Sequence, residues 1–342
     1  MYSPSPSETL TFNRKAVALL SGGLDSALAI YLVKRQGIEV TALHFTSFFS
    51  PEDSEKDDSP VTMIARQLGV PLVSRPKGED FLELIRNPRY GHGKNLNPCI
   101  DCRIYTLVKA REVMAEIGAS FIVTGEVLGQ RPMSQRRNTM RLIEKQAGCD
   151  GIVVRPLSAK RLEPSLPEKQ GIVNRHELLD VAGRGRKAQL ALAEEIGLVG
   201  YSPPAGGCLL TDKGFSNRVR DLLSHCEDVQ PEDLKLLGIG RHLRVRPGLK
   251  LIVGRREEEN GQLLKLATRG ILFIPRDFPG PTVLAQGLPD ENEIVVIGKI
   301  IRRYARESTR GNWIRVVTTS EPDRLMEVTG IIDDEWIQSR II

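Results

Sequence analysis

The stretch from Lys15 to Ser26, KAVALLSGGLDS, runs an apolar segment into a glycine turn that opens the amphipathic stretch ALAIYLVKRQG. A buried strand that turns through Ser21, Gly22 and Gly23 directly into a helix aims backbone N–H groups and the positive end of the helix dipole at one point. That geometry suits an anion. The two glycines remove the Cβ atoms that would keep a phosphate oxygen away from those amides, while Ser21 and Ser26 add hydroxyl donors. The turn lacks the lysine with which a Walker loop neutralises β and γ phosphates. In its place stands Asp25, and a carboxylate inside an anion site calls for a bridging cation such as Mg2+.

Around this unit, short apolar runs alternate with longer amphipathic ones. Strands are expected at residues 16–20, 40–45, 71–74, 121–124 and 151–155, and helices at 26–36, 61–68, 104–117 and 175–196. Such alternation predicts an α/β fold with a parallel sheet, whose ligands bind at the carboxyl ends of the strands. At 342 residues with 40% apolar content the chain suits two domains. The expected division is a flexible N-terminus at 1–14, an α/β domain at 15–212, a linker at 213–239 and a small α+β domain at 240–342.

Net charge is +5, but its distribution carries more than its total: residues 131–187 hold thirteen Lys or Arg against six Asp or Glu. A surface of that kind commonly faces phosphates. The N-terminal residues MYSPSPSETLTFNR lack the apolar core of a signal peptide, and no later segment is apolar for eighteen residues. The expectation is a cytoplasmic protein with no membrane partner. Five cysteines, an odd number, argue against a disulfide framework there.

Cys99 and Cys102 stand two residues apart, just before an expected helix, and Cys208 follows in SPPAGGCLLTD beside Gly206 and Gly207. Three thiolates hold a metal while leaving a coordination position open, as a reactive site requires. A zinc site that includes His92, or cysteines that simply pack, are the other readings of these residues. Cys149 and Cys226 lack comparable surroundings and read as ordinary thiols.

The SGGLDS turn resembles the signature of the PP-loop ATP pyrophosphatases, and residues 15–212 are similar to the thiouridine synthetase-like members of that superfamily. The segments NPCIDCRIYTLVKAREVMAEIGASFIVTGEVLGQRPMSQ and VVRPLSAK carry the closer likeness. The resemblance implies an adenine nucleotide alpha hydrolase-like domain that splits ATP between its α and β phosphates. It places pyrophosphate on Ser21, Gly22, Gly23, Asp25 and Ser26, with Asp25 organising Mg2+. The second strand, bearing His44, would pass the adenine, and the loop from Thr124 to Gln130 would approach the nucleotide through Gly125. It further implies that a uridine carbonyl of tRNA is adenylylated and its oxygen replaced by sulfur. The sulfur would come from inorganic sulfide or a cysteine desulfurase.

In iron–sulfur-dependent relatives three cysteines hold a 4Fe-4S cluster, here Cys99, Cys102 and Cys208. Persulfide-dependent relatives use two, here Cys102 and Cys208, but no rhodanese-like extension accompanies them in this sequence. Amidating PP-loop enzymes keep the adenylation and deliver another nucleophile, and an RNA-binding module with a decayed nucleotide domain is a further reading. Similar enzymes commonly form homodimers. Residues from about 240 resemble the RNA-binding domain of NFACT proteins, and Arg241, Arg244, Arg246, Arg255, Arg256 and Arg269 are expected to give that domain a basic side for RNA.

Overall fold

A computed structural model describes residues 12–49, 58–203, 208–305, 311–318 and 322–342. Most of the N-terminal segment read as flexible, and Gly206 and Gly207 beside Cys208, lie outside them. The chain divides into a unit ending at Thr211 and a second unit, Asp212–Ile342.

The first unit strings together β1 (Lys15–Leu19), α1 (Leu24–Lys34), β2 (Glu39–Thr46), α2 (Pro60–Gln67), β3 (Leu72–Pro76), α3 (Glu79–Arg86), α4 (Cys99–Glu116), β4 (Phe121–Val123), α5 (Arg137–Ala147), β5 (Val153–Val154), α6 (Leu166–Lys169) and α7 (Lys187–Glu195). All five strands expected from the apolar runs are present and pair in parallel in the order β3-β2-β1-β4-β5. From β1 the chain winds outward to β2 and β3, then returns to place β4 on the other side of β1. The carboxyl ends of β1 and β4 thus flank the point where the winding reverses, which is where such sheets open a crevice.

Sequence pattern and packing agree most closely at α1. Its Leu24, Ala27, Leu28, Ile30, Leu32 and Val33 are all buried with the β1 residues Ala16 and Ala18. A helix apolar on nearly every side belongs inside a protein, which fixes the glycine turn before it.

Two helix boundaries differ from expectation. The expected 175–196 helix is a single turn at Arg175–Glu177, an extended run, and then α7. In that run the Leu179 and Val181 amides donate to the carbonyls of Pro156 and Leu157, and Gly183, at φ +82°, donates to Leu128. Glycine at such an angle does not continue a helix, and the backbone bonds to distant partners replace the helical ones. In α4 the first turn begins at Cys99, so both cysteines of the CxxC pair lie within the helix and not before it.

The second unit holds α8 (Lys213–His225), α9 (Pro231–Leu236), β6 (Arg241–Arg246), β7 (Leu249–Val253), α10 (Glu257–Leu266), β8 (Ile271–Pro275), β9 (Val283–Gln286), α11 (Glu291–Tyr304), β10 (Trp313–Val317), β11 (Arg324–Glu327) and α12 (Asp334–Gln338). Its antiparallel sheet runs β11-β10-β8-β9-β7-β6, and Leu251, Phe273, Ile300 and Ile314 are fully buried in its core. Residues 213–239, read as a linker, form α8 and α9. Asp221 of α8 accepts bonds of 2.9 and 2.7 Å from Arg244 and pairs with the buried Lys250 at 3.3 Å, which ties this helix to the sheet.

Candidate nucleotide and thiol site

Ser21 to Ser26 link β1 to α1 as the sequence predicts. Gly22 sits at φ +78°, and Gly23 caps α1 with no side-chain bond, so the helix's first amides keep no side-chain acceptor at the cap. Ser26 Oγ donates to the Gly23 carbonyl at 2.8 Å and accepts from the Ser21 amide at 3.2 Å; the two hydroxyls are 3.2 Å apart. These bonds brace the turn from within.

The loop after β4 closes on this turn. A Cβ built on Gly125 would stand 2.5 Å from the Asp25 carbonyl carbon and the Ser26 nitrogen, so only glycine permits the approach. Gln130 from the same loop donates to Asp25 Oδ2 at 2.8 Å. Thr124, buried, donates to Glu126 Oε2 at 3.1 Å. His44 on β2 is buried, with its Nδ1 2.9 Å from the Leu20 carbonyl just before the turn. Ser21, Gly22, Gly23, Asp25, Ser26, His44, Thr124, Gly125 and Gln130 therefore gather along one edge of the sheet.

Three further residues join them without any motif to announce them. Arg186, which precedes α7, lies 3.5 Å from Asp25 Oδ2. Gln189, fully buried on α7, donates to Asp25 Oδ1 at 3.4 Å. Ser202 donates its amide to the Gly22 carbonyl at 2.9 Å and forms a parallel bridge with Gly23.

The cysteines connect to the same edge through a buried ion pair. Glu126 accepts 2.9 Å bonds from Arg103, the residue after Cys102, and from Arg155, which also holds Glu144. Burial alone would raise the Glu126 carboxyl, but the two guanidinium charges and their hydrogen bonds outweigh it and hold the group at about 2.

Cys99, Cys102 and Cys208 are all half-buried. Asn97 Nδ2 donates to Cys99 Sγ at 3.6 Å, Lys77 Nζ donates to Cys102 Sγ at 3.2 Å, and Cys208 Sγ reaches the Phe49 carbonyl at 3.8 Å. Burial pushes the Cys208 thiol up, the Leu210 amide and Lys77 pull it down, and the charges of Cys102 and Cys99 push it further up. The three thiols and one ammonium thus share an electrostatic neighbourhood. Among the described residues, no three cysteine, histidine or acidic side chains converge tightly enough to hold a single metal ion. His92 Nε2 lies 2.8 Å from the Ile85 carbonyl. Cys149 is buried and raised to about 11 by desolvation, an inert packed thiol.

The second unit's arginines are less available than their spacing predicts. Arg244, Arg246, Arg255 and Arg269 pair with Asp221, Glu293, Glu259 and Asp228, and Arg241 lies 4.6 Å over the Tyr304 ring. Among the described residues no helix is long and apolar enough to cross a membrane.

Fold and loop together resemble a PP-loop ATP pyrophosphatase domain. Residues 11–163 match the family described as thiamine biosynthesis protein (ThiI), and residues 240–339 that described as NFACT protein RNA binding domain. Each match covers less than half of the chain. A tRNA-specific 2-thiouridylase MnmA 2 of Thermoanaerobacter sp. (strain X514) is 26% identical over 244 residues, 65% of this chain and 62% of that protein. The chain thus spans somewhat under two thirds of that curated relative. A protein of Thermococcus kodakarensis named "Probable tRNA sulfurtransferase" is 32% identical over 152 residues, 42% of this chain and 36% of that one. The U34-tRNA thiolase NcsA of Methanococcus maripaludis, solved with its [4Fe-4S] cluster, aligns at a TM-score of 0.33 and 20% identity over 67% of this chain and 70% of that one; so low a score carries no weight for function.

Proposed function

We propose that the chain is a cytoplasmic, ATP-dependent tRNA sulfurtransferase that adenylylates a uridine carbonyl and replaces its oxygen by sulfur. The observation that carries this reading is the Arg103–Glu126 pair: it ties the helix bearing Cys99 and Cys102 to the loop that closes on SGGLDS. Nucleotide chemistry and thiol chemistry then meet on one edge of one sheet. A carbonyl oxygen leaves poorly until it is esterified to AMP, so an ATP site beside thiols has a clear use. The loop amides, Ser21 and Ser26 bind the departing pyrophosphate, and Asp25 holds Mg2+ there.

For the sulfur, three thiols without a carboxylate among them suit soft iron. Cys99, Cys102 and Cys208 are the residues that would hold a 4Fe-4S cluster. Such a cluster, when bound, presents an iron with an open position for sulfide. The Lys77 contact favours a second reading, since an ammonium 3.2 Å from Cys102 stabilises a thiolate or a persulfide on that sulfur, with Cys208 as the resolving thiol. The NFACT-type domain supports tRNA as the substrate, and a homodimer is the assembly we propose.

Anaerobic purification with iron and sulfide analysis separates the two sulfur carriers. About four irons per chain are expected for the cluster; an iron-free, fully active protein leaves the Cys102–Cys208 persulfide route. With either carrier, Cys208→Ala is expected to abolish thionucleoside formation in tRNA while ATP binding is kept. Unchanged thionucleoside levels would remove the sulfurtransferase reading.

A further inference from the structure

Asn95 stands in the loop that leads into α4 at φ +58°, the one non-glycine residue with a left-handed backbone among the described residues. Its side chain reaches 116 positions along the chain, where Nδ2 donates to the Thr211 carbonyl at 2.7 Å. Beside it the Leu96 amide donates to the Leu210 carbonyl at 3.2 Å, and both leucines are buried. The segment so held is the turn that carries Cys208. Within it the Thr211 amide and hydroxyl both donate to the Cys208 carbonyl, at 2.8 and 2.7 Å, so the cysteine moves with the threonine.

The same loop touches the other thiols. Asn97 Nδ2 lies 3.6 Å from Cys99 Sγ, and the Asn97 carbonyl accepts from the Gly93 amide at 2.8 Å, which closes the loop on itself. A second route passes through Phe49, whose carbonyl accepts from the Leu209 amide at 3.2 Å and whose ring packs on Phe81 at 6.1 Å. The Lys77 ammonium that meets Cys102 lies 4.3 Å over the Phe81 ring. Two short routes therefore link the Cys208 turn to the helix of the CxxC pair, and Asn95 supplies the side-chain donor of the first.

Asparagine meets two requirements at this position. Most side chains resist a left-handed angle, which glycine takes freely and asparagine and aspartate tolerate. Glycine has no side chain, and an ionised aspartate offers no N–H to a carbonyl. Of the three, asparagine alone brings both the angle and the donor.

We propose that Asn95 is a positioning residue of the thiol site: it fixes the Cys208 turn against the loop entering α4, so that Cys208 is placed with Cys99 and Cys102 before any sulfur carrier is loaded. It touches no reacting atom and acts through Cys208. Sulfur transfer, by cluster or by persulfide, needs sulfurs from two distant parts of the chain at a fixed separation, and a turn already tied down spares the site the entropy of gathering them. The inference rests on the sulfur-transfer part of the proposed function and is the same for either carrier.

Alkylation of the full chain by iodoacetamide, after reduction and chelation and followed cysteine by cysteine by peptide mass spectrometry, tests it. Asn95→Gly keeps the backbone angle and removes the donor, and Asn95→Asp removes the donor alone. Both are expected to speed Cys208 labelling by about tenfold or more as the turn opens locally. Cys149, buried in the core, should stay unlabelled, and Cys226 in the second unit should keep its rate. Thionucleoside formation in tRNA should fall by about tenfold or more while ATP binding is kept. Cys208 labelling within about twofold of the parent in Asn95→Gly overturns the proposal, and so does a matching rise at Cys149, which marks a general loosening of the unit. Glycine suits the angle, so that variant carries the test if Asn95→Asp melts early. If Cys208 is freed in the variants but the parent makes no thionucleoside, the positioning stands and the sulfurtransferase reading falls.

Discussion

Gly125→Ala is expected to lower ATP affinity by about a hundredfold while the chain still folds. The added Cβ would meet the carbonyl carbon of Asp25 and the amide of Ser26 at 2.5 Å, and the Asp25 carbonyl oxygen at 2.6 Å. These are backbone atoms in the first turn of a buried helix, and no rotamer change moves them aside. Relief requires the loop at 124–130 to retreat from the phosphate turn, at a cost of about 1–3 kcal/mol for forced overpacking. Gln130 retreats with it and loosens its 2.8 Å bond to Asp25. A misplacement of about an ångström is enough to cost two orders of magnitude where ligand groups must converge. Titration with ATP reads the loss directly, and affinity within about threefold of the parent would mean that the close approach is dispensable to the nucleotide.

Glu126→Gln is expected to destabilise the first unit by about 3–5 kcal/mol, because it leaves the buried Arg155 with Glu144 as its remaining carboxylate and strips Arg103 of its partner. Arg155 NH2 already lacks a hydrogen-bond partner, so the site has little reserve. The same pair sets an acid limit. Glu126 is held at about 2 in the folded chain against an ordinary 4.5, the two arginines outweighing the burial that would raise it. The unfolded chain binds the proton more readily, so this contribution is whole above about pH 4.5 and is lost as pH falls from there towards 2. Denaturant melts between pH 6 and pH 3 check it: the parent should lose stability across the lower part of that range, and Glu126→Gln should lose less. Parallel pH profiles for the two chains would show that other carboxylates govern the acid limit.

The sheet was legible because each strand is an apolar run closed by turn residues, as in β1 followed by SGGLDS. The strand-to-helix turn at Ser21–Ser26 was legible for the same local reason: glycines, hydroxyls and a helix start lie within six residues. Arg186 and Gln189 were not, since the glycines of GRGRK give no sign that the helical pattern around them is broken by bonds to Leu128 and Pro156. Their position beside Asp25 comes from tertiary placement, which no periodicity encodes. The salt bridges that occupy Arg244, Arg246, Arg255 and Arg269 were invisible for a related reason. Spacing reveals a cluster of charge but not the carboxylates that fold back onto it.

The parallel bridge between Gly23 and Ser202 joins the beginning of the first unit to its end. A contact of such sequence separation forms late, because the closure entropy of the long intervening chain must be met first. During synthesis the phosphate turn and its sheet partners are made early, yet the cover supplied by Arg186, Gln189 and Ser202 arrives only after nearly all of the unit has left the ribosome. The nascent protein therefore passes through an interval in which the glycine turn is made while its Asp25 carboxylate still awaits Arg186.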